Sequence, residues 1–341
     1  MINIISKSYL SSRISGPQKV VLNTIKGLEK LGYPYVVNKS LSSCKRLWIH
    51  DDINALKFIK DLPSDISIVV GPNLFIKPDN IPSNLNIKRA VFLYPSRWIK
   101  DFWLRYGYNG SSMEVWPVGI DTDDFNISKI EKKVVMVYYK QRFAEELKFV
   151  ENLLVNKKIK YKLIVYRDYT EGEYKKVLAE SKYGIWLGRH ESQGIALEEA
   201  MSCGVPLIVL DVKNLGHWTP SVKESKLFTE EENKYAPVTV AEYFDNNCGI
   251  KINNILDLPN ALDTMEAGWF NFKPRKYIVE HLSCEKQARD LLEIYNKYYG
   301  LDFESGFNEK IIRPGNWVNN YFYNKIFVKL KDFIKNIKQY I

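Results

Sequence analysis

Cysteine is scarce in this 341-residue chain, and long apolar runs are missing from it. The four cysteines (Cys44, Cys203, Cys248 and Cys284) are scattered without CxxC spacing. We therefore expect free thiols in a reducing compartment, with no zinc site and no redox pair. No window approaches about 18 uncharged apolar residues, so the sequence predicts no membrane-spanning helix. Residues 1–16 lack an apolar stretch followed by a small-residue cleavage site, and we expect no secretory signal.

Basic residues are in moderate excess over acidic residues. The chain has 49 basic and 40 acidic residues, and its net charge is +9. More than half of this excess lies between Gly306 and the end, a segment that contains seven basic and two acidic residues. The rest of the chain is only mildly basic, so we expect no nucleic-acid partner. Hydrophobic residues make up 45% and charged residues 26%, which is typical of a globular protein of about two domains.

Strands and helices are predicted to alternate along most of the sequence. The apolar runs that are typical of buried strands lie at residues 2–5, 46–50, 66–70, 90–94, 113–116, 134–139, 161–166, 183–188 and 205–211. Helical patterns separate several of these runs. The alternation predicts an α/β protein with parallel sheets covered on both faces.

The runs form two successive sets, which suggest two nucleotide-binding-type domains with a cleft between them. The segment Gly119–Asp123 joins the sets, and Ser283 is a good N-cap for a later helix that ends at Gly300. We predict an N-terminal domain over 1–125, a C-terminal domain over 126–283, a closing helix over 284–300, and a linker with a basic tail over 301–341.

The tail has the pattern of an amphipathic helix. Ile326, Leu330 and Ile337 recur at helical spacing, with lysines between them and several aromatic residues nearby. Two interpretations are open. Residues 317–341 form either an interfacial helix on an anionic membrane surface or a helix packed on its own domains with a solvated lysine face.

The stretch Gly188–Pro206, GRHESQGIALEEAMSCGVP, is the most informative for chemistry. A strand ends before it, and a helix is predicted to begin near Ile195. The N–H groups at that helix start are suited to a phosphate, and Gly194 lets a ligand approach the backbone. Glu199, in the second turn, is placed to accept both hydroxyls of a ribose. Glu191, eight residues earlier, is placed to hold hydroxyls of a second sugar ring.

These residues carry a family resemblance. The pattern Glu191, seven residues, Glu199, then Ala200-Met201, Gly204 and Pro206 resembles the E-x7-E signature of retaining glycosyltransferases of family 4. Weaker similarity extends over most of residues 1–300, through Tyr94-Pro95-Ser96 and through the WPVGIDT run at 116–122. The resemblance implies the GT-B fold, in which two Rossmann-like domains face each other across a cleft. The N-terminal domain would be the acceptor side and the C-terminal domain the donor side.

The resemblance also implies roles for individual residues. Glu199 would bind the ribose of a nucleoside-diphosphate sugar, and Glu191 would lie at the donor sugar. The amides near Gly194, Ile195 and Ala196 would contact the diphosphate.

Other parts of the family pattern fall on basic residues and on the first loop. The family has an Arg and a Lys after the first strand of the second domain. Here the matching region holds Lys140 and Arg142, in compressed order, and a solvated surface pair is the alternative interpretation. Gly16, within Ser15-Gly16-Pro17, lies where the family has its glycine-rich first loop.

The sequence departs from the family at the catalytic histidine. The family places a histidine at the end of a strand that here runs into residues 71–73, Gly-Pro-Asn. His50, at the end of an earlier strand, is a candidate substitute, and a hydrogen-bonded structural histidine is the alternative. His190, directly before Glu191, is the other candidate.

The predicted activity is transfer of a sugar from a nucleoside-diphosphate sugar to an acceptor hydroxyl, with retention of anomeric configuration, in glycan or polysaccharide assembly. The resemblance implies no metal and no cofactor. The acceptor is left open between glycan, lipid-linked and protein acceptors, and the expected location is cytoplasmic or peripheral on a membrane. Two alternatives are a non-catalytic nucleotide-sugar-binding or scaffold protein that retains only the donor half, and an epimerase-like enzyme on the same fold.

Overall fold

A computed structural model describes residues 1–11, 14–85, 87–219 and 223–304 of the chain. These residues form two compact units. Unit 1 comprises Met1–Tyr94, Trp103–Trp116 and the described residues from Ala288 onward, and unit 2 comprises Pro95–Phe102 and Pro117–Gln287. The predicted tail helix, residues 317–341, lies outside the described residues.

The elements follow the alternation that the sequence predicts. The strands are β1 (Ile2–Ile5), β2 (Tyr35–Val37), β3 (Arg46–Ile49), β4 (Ser67–Val70), β5 (Val91–Tyr94), β6 (Ser112–Val115), β7 (Val134–Lys140), β8 (Tyr161–Val165), β9 (Ser181–Gly188), β10 (Leu207–Leu210) and β11 (Gly249–Ile252). The α-helices are α1 (Gly16–Lys30), α2 (Ile53–Leu56), α3 (Arg97–Arg105), α4 (Ala144–Asn156), α5 (Glu171–Glu180), α6 (Ile195–Ser202), α7 (Glu230–Asn233), α8 (Leu258–Gly268), α9 (Pro274–Leu282) and α10 (Cys284–Tyr299).

Unit 1 contains a six-stranded parallel sheet in the order β2-β1-β3-β4-β5-β6. Every residue of β1, β3, β4 and β5 is buried, so side chains on both faces of the sheet are removed from water. That is why these strands appear in the sequence as unbroken apolar runs rather than as alternating patterns. The edge strand β2 is only half-buried, and the sequence analysis missed it.

Unit 2 contains a five-stranded parallel sheet in the order β11-β10-β9-β7-β8. Its core joins the central strands to α4 and α8 through side chains such as Val137, Ile185, Leu154 and Leu262. The predicted α/β fold with two parallel sheets is confirmed. The edge strand β11 and the helices α8 and α9 were not predicted.

The segment after Pro117 adopts a conformation that depends on glycine. A side chain at Gly119 would place its Cβ 2.4 Å from Cα of Cys284, closer than packed atoms approach. Directly beside it, the amide of Ile120 donates to the carbonyl of Leu282 at 2.6 Å. Glycine at 119 therefore allows the two backbones to lie against each other where α9 ends and α10 begins.

Candidate functional site in unit 2

The loop 189–194 connects β9 to α6 at the carboxyl edge of the sheet, where parallel sheets usually bind ligands. Its conformation is set by main-chain hydrogen bonds. The amide of Arg189 donates to the carbonyl of Lys140 at 3.0 Å, and the amide of Glu191 donates to the carbonyl of Thr239 at 3.0 Å. The indole N–H of Trp98 donates to the carbonyl of Glu191 at 2.9 Å. The loop is therefore held from three directions.

Helix α6 begins without a side-chain cap. Its N-cap is Gly194, which has φ of 108°, a left-handed conformation that L side chains rarely adopt. No side chain accepts from the amides of the first turn among the described residues. The hydroxyl of Tyr174 donates to the carbonyl of Ala196 at 2.6 Å and fixes this turn against α5. The amides of Ile195 and Ala196 thus belong to a helix start that is suited to an anion.

A basic and an acidic side chain meet beside this helix start. The ammonium of Lys140, at the end of β7, lies 2.6 Å from Oε1 of Glu191. The side chain of Lys140 is 10% exposed and that of Glu191 is 13% exposed. The pair is therefore largely removed from water, where a charge left without a partner is costly. The solvated surface pair considered as an alternative for Lys140 does not describe this position.

Helix α6 carries two adjacent buried carboxyl groups near its start. Glu199 and Glu198 both have almost no exposed surface. The side-chain amide of Gln193 donates to Oε2 of Glu198 at 2.8 Å, and the same side chain bonds both the amide and the carbonyl of Val118. Burial, with a smaller contribution from the charges of Glu199 and Glu191, raises the pKa of Glu198 to about 8. Glu198 is therefore a neutral carboxyl group at pH 7.

Sequence reasoning missed Gln193 and Glu198. The sequence signal for Glu198 was weak. Glu198 and Glu199 are consecutive on a short helix, so their side chains point in different directions, and the sequence does not show what surrounds Glu198. Burial of the first and its hydrogen bond to Gln193 follow from how the 117–125 segment packs in unit 2, which the local sequence does not encode.

Arg142 occupies a structural position. Its guanidinium is completely buried, and Nη1 donates to the carbonyls of Gly188 and Leu210, both at 2.9 Å. Nε donates to the carboxylate of Glu146 at 2.8 Å. These bonds join the carboxyl ends of β9 and β10 to the start of α4. This geometry favours a role in holding the strand ends together over the predicted contact with a diphosphate.

His190 lies in an aromatic cluster behind the loop. Its ring centroid is 4.6 Å from that of Trp218 and 5.8 Å from that of Trp98. Burial and the nearby charges of Arg189 and Lys140 lower the pKa of His190 well below its usual value. The imidazole is therefore neutral at pH 7, and it packs against the residues that hold Glu191.

The remaining predicted residues, His50 and Gly16, belong to unit 1. His50 is completely buried, and its Nε2 lies 3.0 Å from the carbonyl of Pro17. Desolvation lowers its pKa below the usual value. Gly16 is the first residue of α1, whose N-terminus is capped by Ser15, because the hydroxyl oxygen of Ser15 accepts from the amide of Gln18. The burial of His50 and its contact with the carbonyl of Pro17 fit the interpretation of His50 as a hydrogen-bonded structural residue.

The described residues contain neither a cluster of metal-ligating side chains nor a membrane-spanning helix. No group of three or more His, Cys, Asp or Glu side chains is arranged there to hold a metal ion. None of the described helices has the length and the apolar character needed to cross a membrane.

No protein-family model matches the chain, and no curated protein matches it. Solved structures are similar to it in fold. AviGT4, a glycosyltransferase involved in avilamycin A biosynthesis, has a TM-score of 0.54 at 13% identity over 87% of this chain and 97% of its own. Anabaena Alr3699/HepE in complex with UDP has a TM-score of 0.52 at 11% identity, over 87% and 99% of the two chains. The lipopolysaccharide outer core galactosyltransferase WaaB, in its apo form, has a TM-score of 0.51 at 13% identity, over 87% and 99%. With its two parallel sheets and flanking helices, the chain has the fold of GT-B glycosyltransferases.

Proposed function

We propose that this protein is a glycosyltransferase that moves a sugar from a nucleoside-diphosphate sugar to an acceptor hydroxyl in glycan assembly. The observation that carries the proposal is the uncapped start of α6, with the Lys140–Glu191 pair beside it. A helix start of this kind attracts negative charge, and an adjacent ammonium supplies the charge-assisted hydrogen bonds that phosphate oxygens favour.

In this proposal the diphosphate of the donor lies at the first turn of α6. The amides of Ile195 and Ala196 donate to phosphate oxygens, and Lys140 exchanges its bond to Glu191 for one to the diphosphate. An ammonium has three donors, so one lysine can serve more than one oxygen. The left-handed Gly194 directs the chain away from the helix axis and leaves the approach to these amides clear of a side chain.

The two glutamates of the E-x7-E pattern then have different tasks. Glu199, in the second turn, accepts the hydroxyls of the ribose, and Glu191 accepts hydroxyls of the transferred sugar once Lys140 has turned to the diphosphate. Glu198 remains neutral, so its carboxyl group adds no negative charge near the start of α6. The absence of that charge limits repulsion of the incoming diphosphate.

Retention of configuration is part of the proposal, on the basis of the family resemblance. The sugar becomes oxocarbenium-like as its bond to the diphosphate breaks, and the leaving oxygen gains negative charge. The helix start and Lys140 stabilise that charge, and the leaving phosphate accepts the proton of an acceptor that attacks from the same face. We propose that turnover needs no metal ion, and the measurement is turnover in the presence of a chelator.

Uridine nucleotides are the first donors to test, because one structure of the same fold, that of HepE, is a complex with UDP. Calorimetry with UDP, GDP and ADP identifies the nucleotide, and release of free sugar from the matching nucleotide sugars reports hydrolysis. Product anomers are assigned by NMR once an acceptor is found. Lys140→Met should weaken nucleoside-diphosphate binding about 10-fold or more, as expected for lost charge-assisted bonds.

The matched control is Lys276→Met, which breaks an exposed lysine–glutamate pair in the same unit. It should bind as tightly as the unaltered protein. If the unaltered protein binds no nucleoside diphosphate, the proposed function is wrong. If it binds the nucleotide but neither releases nor transfers sugar in any acceptor mixture, the protein is the non-catalytic binder considered as the alternative.

The acceptor and the location are proposed from the sequence of the tail. Its lysines and apolar residues suit an anionic membrane surface, which would place the protein on the cytoplasmic face beside lipid-linked or membrane-bound acceptors. Soluble glycan or protein acceptors follow if the tail does not bind membranes.

A further inference from the structure

The carboxyl ends of β7 and β8 bring an aromatic ring against the ammonium of Lys140. The two strands are parallel neighbours in which Tyr139 pairs with Val165. Lys140 is the last residue of β7, and Tyr166 directly follows β8, where its amide donates to the carbonyl of Tyr139 at 2.9 Å. Nζ of Lys140 lies 4.3 Å from the centroid of the Tyr166 ring, within the range of a cation–π interaction.

The backbone is strained immediately after both residues. Gln141 has φ of 57° and Arg167 has φ of 73°, although neither is glycine. Left-handed conformations at such residues persist where the surrounding structure requires them, and they are frequent at functional sites. Here they turn the chain just after Lys140, the last residue of β7, and just after Tyr166, the first residue beyond β8.

A tyrosine ring supports a lysine differently from a carboxylate. Glu191 neutralises the charge of Lys140, whereas a ring orients the ammonium and leaves its full charge available to a further partner. A free lysine side chain also has many rotamers, and fixing them costs free energy when an anion binds. A ring that already holds the ammonium reduces that cost.

We propose that Tyr166 is a positioning residue for Lys140, an inference that rests on the proposed function. When the diphosphate replaces Glu191 as the partner of Lys140, the Tyr166 ring keeps the ammonium at the edge of the sheet beside α6. The aromatic face performs this task, and the hydroxyl does not. Arg167, whose guanidinium carbon lies 5.2 Å from the same ring centroid, adds positive charge on this side of the site.

The test is a double-mutant cycle read by calorimetry with UDP, or with whichever nucleoside diphosphate the unaltered protein binds. Tyr166→Leu should weaken binding about 3- to 30-fold, the range for cation–π interactions from exposed to desolvated sites. Tyr166→Phe, which retains the ring, should bind within about 2-fold of the unaltered protein. In a Lys140→Met background, Tyr166→Leu should cause no further loss, because the ring acts through the ammonium.

Tyr161→Leu is the matched control, since Tyr161 is the first residue of β8, at the end away from Tyr166, and its hydroxyl donates to Glu151. It should bind the nucleotide normally. Additive losses in the cycle overturn the proposal, and so does a Tyr166→Phe variant that binds as weakly as Tyr166→Leu.

A second measurement needs no nucleotide. Trace labelling of amines with acetic anhydride, quantified by mass spectrometry, reports how well each lysine is held. Tyr166→Leu should increase labelling of Lys140 several-fold relative to Lys276, and Tyr166→Phe should not. Unchanged labelling of Lys140 overturns the proposal. Increased labelling in a protein that binds no nucleoside diphosphate overturns the proposed function instead, while the contact between Tyr166 and Lys140 stands.

Discussion

Glu198 is expected to lower the stability of the folded protein as the pH rises through neutrality. Its carboxyl group is completely buried in the first turn of α6, accepts one hydrogen bond from Gln193, and has no hydrogen-bond partner for Oε1 among the described residues. Burial raises its pKa from the usual 4.5 to about 8. The unfolded chain leaves the same group in water, where it ionises normally.

The magnitude follows from this difference in pKa. Between pH 4.5 and 8 the folded protein binds a proton that the unfolded chain has released, so stability falls as the pH rises. At pH 7 the cost is about 3 kcal/mol, from roughly 1.4 kcal/mol for each pH unit above 4.5. Glu198→Gln has nearly the same shape, carries no charge, and can still accept from Gln193. We therefore expect the variant to be more stable by about 3 kcal/mol at pH 7 and by under 1 kcal/mol at pH 5.

Denaturant unfolding at pH 5, 7 and 8 measures this difference. Glu230→Gln is the control, because Glu230 is exposed and its replacement should change stability little at each pH. An advantage of Glu198→Gln that stays constant from pH 5 to 8 would refute the argument. If Glu198→Gln is less stable than the unaltered protein at pH 8, the carboxyl group of Glu198 is ionised and paired in the folded protein.

Three further predictions concern other parts of the chain. Arg142→Met should lower the free energy of unfolding by about 3–5 kcal/mol, because the buried carbonyls of Gly188 and Leu210 and the carboxylate of Glu146 lose the donor that they share. An unchanged denaturation midpoint would contradict the structural role. Gly194→Ala should lower the free energy of unfolding by about 1–2 kcal/mol, because alanine disfavours the left-handed φ of this position, and the Tm should fall. The substitution should also weaken UDP binding by displacing the first turn of α6. Normal stability and affinity would argue against that turn as the anion site. The full chain should co-sediment with anionic vesicles, and a shortened chain ending at Gly315 should not, since each basic residue near such a surface adds about 1 kcal/mol; equal sedimentation of the two would reject the membrane interpretation.

The fold was predictable because its strands are short, buried and uninterrupted. The runs INII and SIVV have apolar side chains on both faces, which parallel sheets require, and helices begin and end at recognisable capping residues. Ser283 is one of these, since its hydroxyl oxygen accepts from the amide of Lys286 at the start of α10. The edge strands β2 and β11 escaped prediction because β2 has only three residues and β11 includes Gly249 and Lys251, so neither forms an apolar run like those of the central strands.

The candidate site was predictable only where local sequence determines its geometry. A glycine before an apolar helical run identified the start of α6, and the positions of Glu191 and Glu199 follow from that start. The burial of Arg142 could not be inferred, because its acceptors come from β9 and β10, 46 and 68 residues away. The neutral state of Glu198 likewise depends on its burial in unit 2, which raises the pKa of its carboxyl group and which the local sequence does not encode.

The position of β8 at the edge of its sheet has a consequence for how this sequence can change. Residues 166–170 follow an edge strand, so insertions there disturb no strand on the outer side. The loop 189–194 follows the central strand β9 and is held by three hydrogen bonds to other segments, so its length cannot change without breaking them. In descendants or engineered variants of this chain, changes in length are therefore expected between Tyr166 and Tyr169, which keep their contacts with Lys140 and Tyr174, while 189–194 stays constant in length.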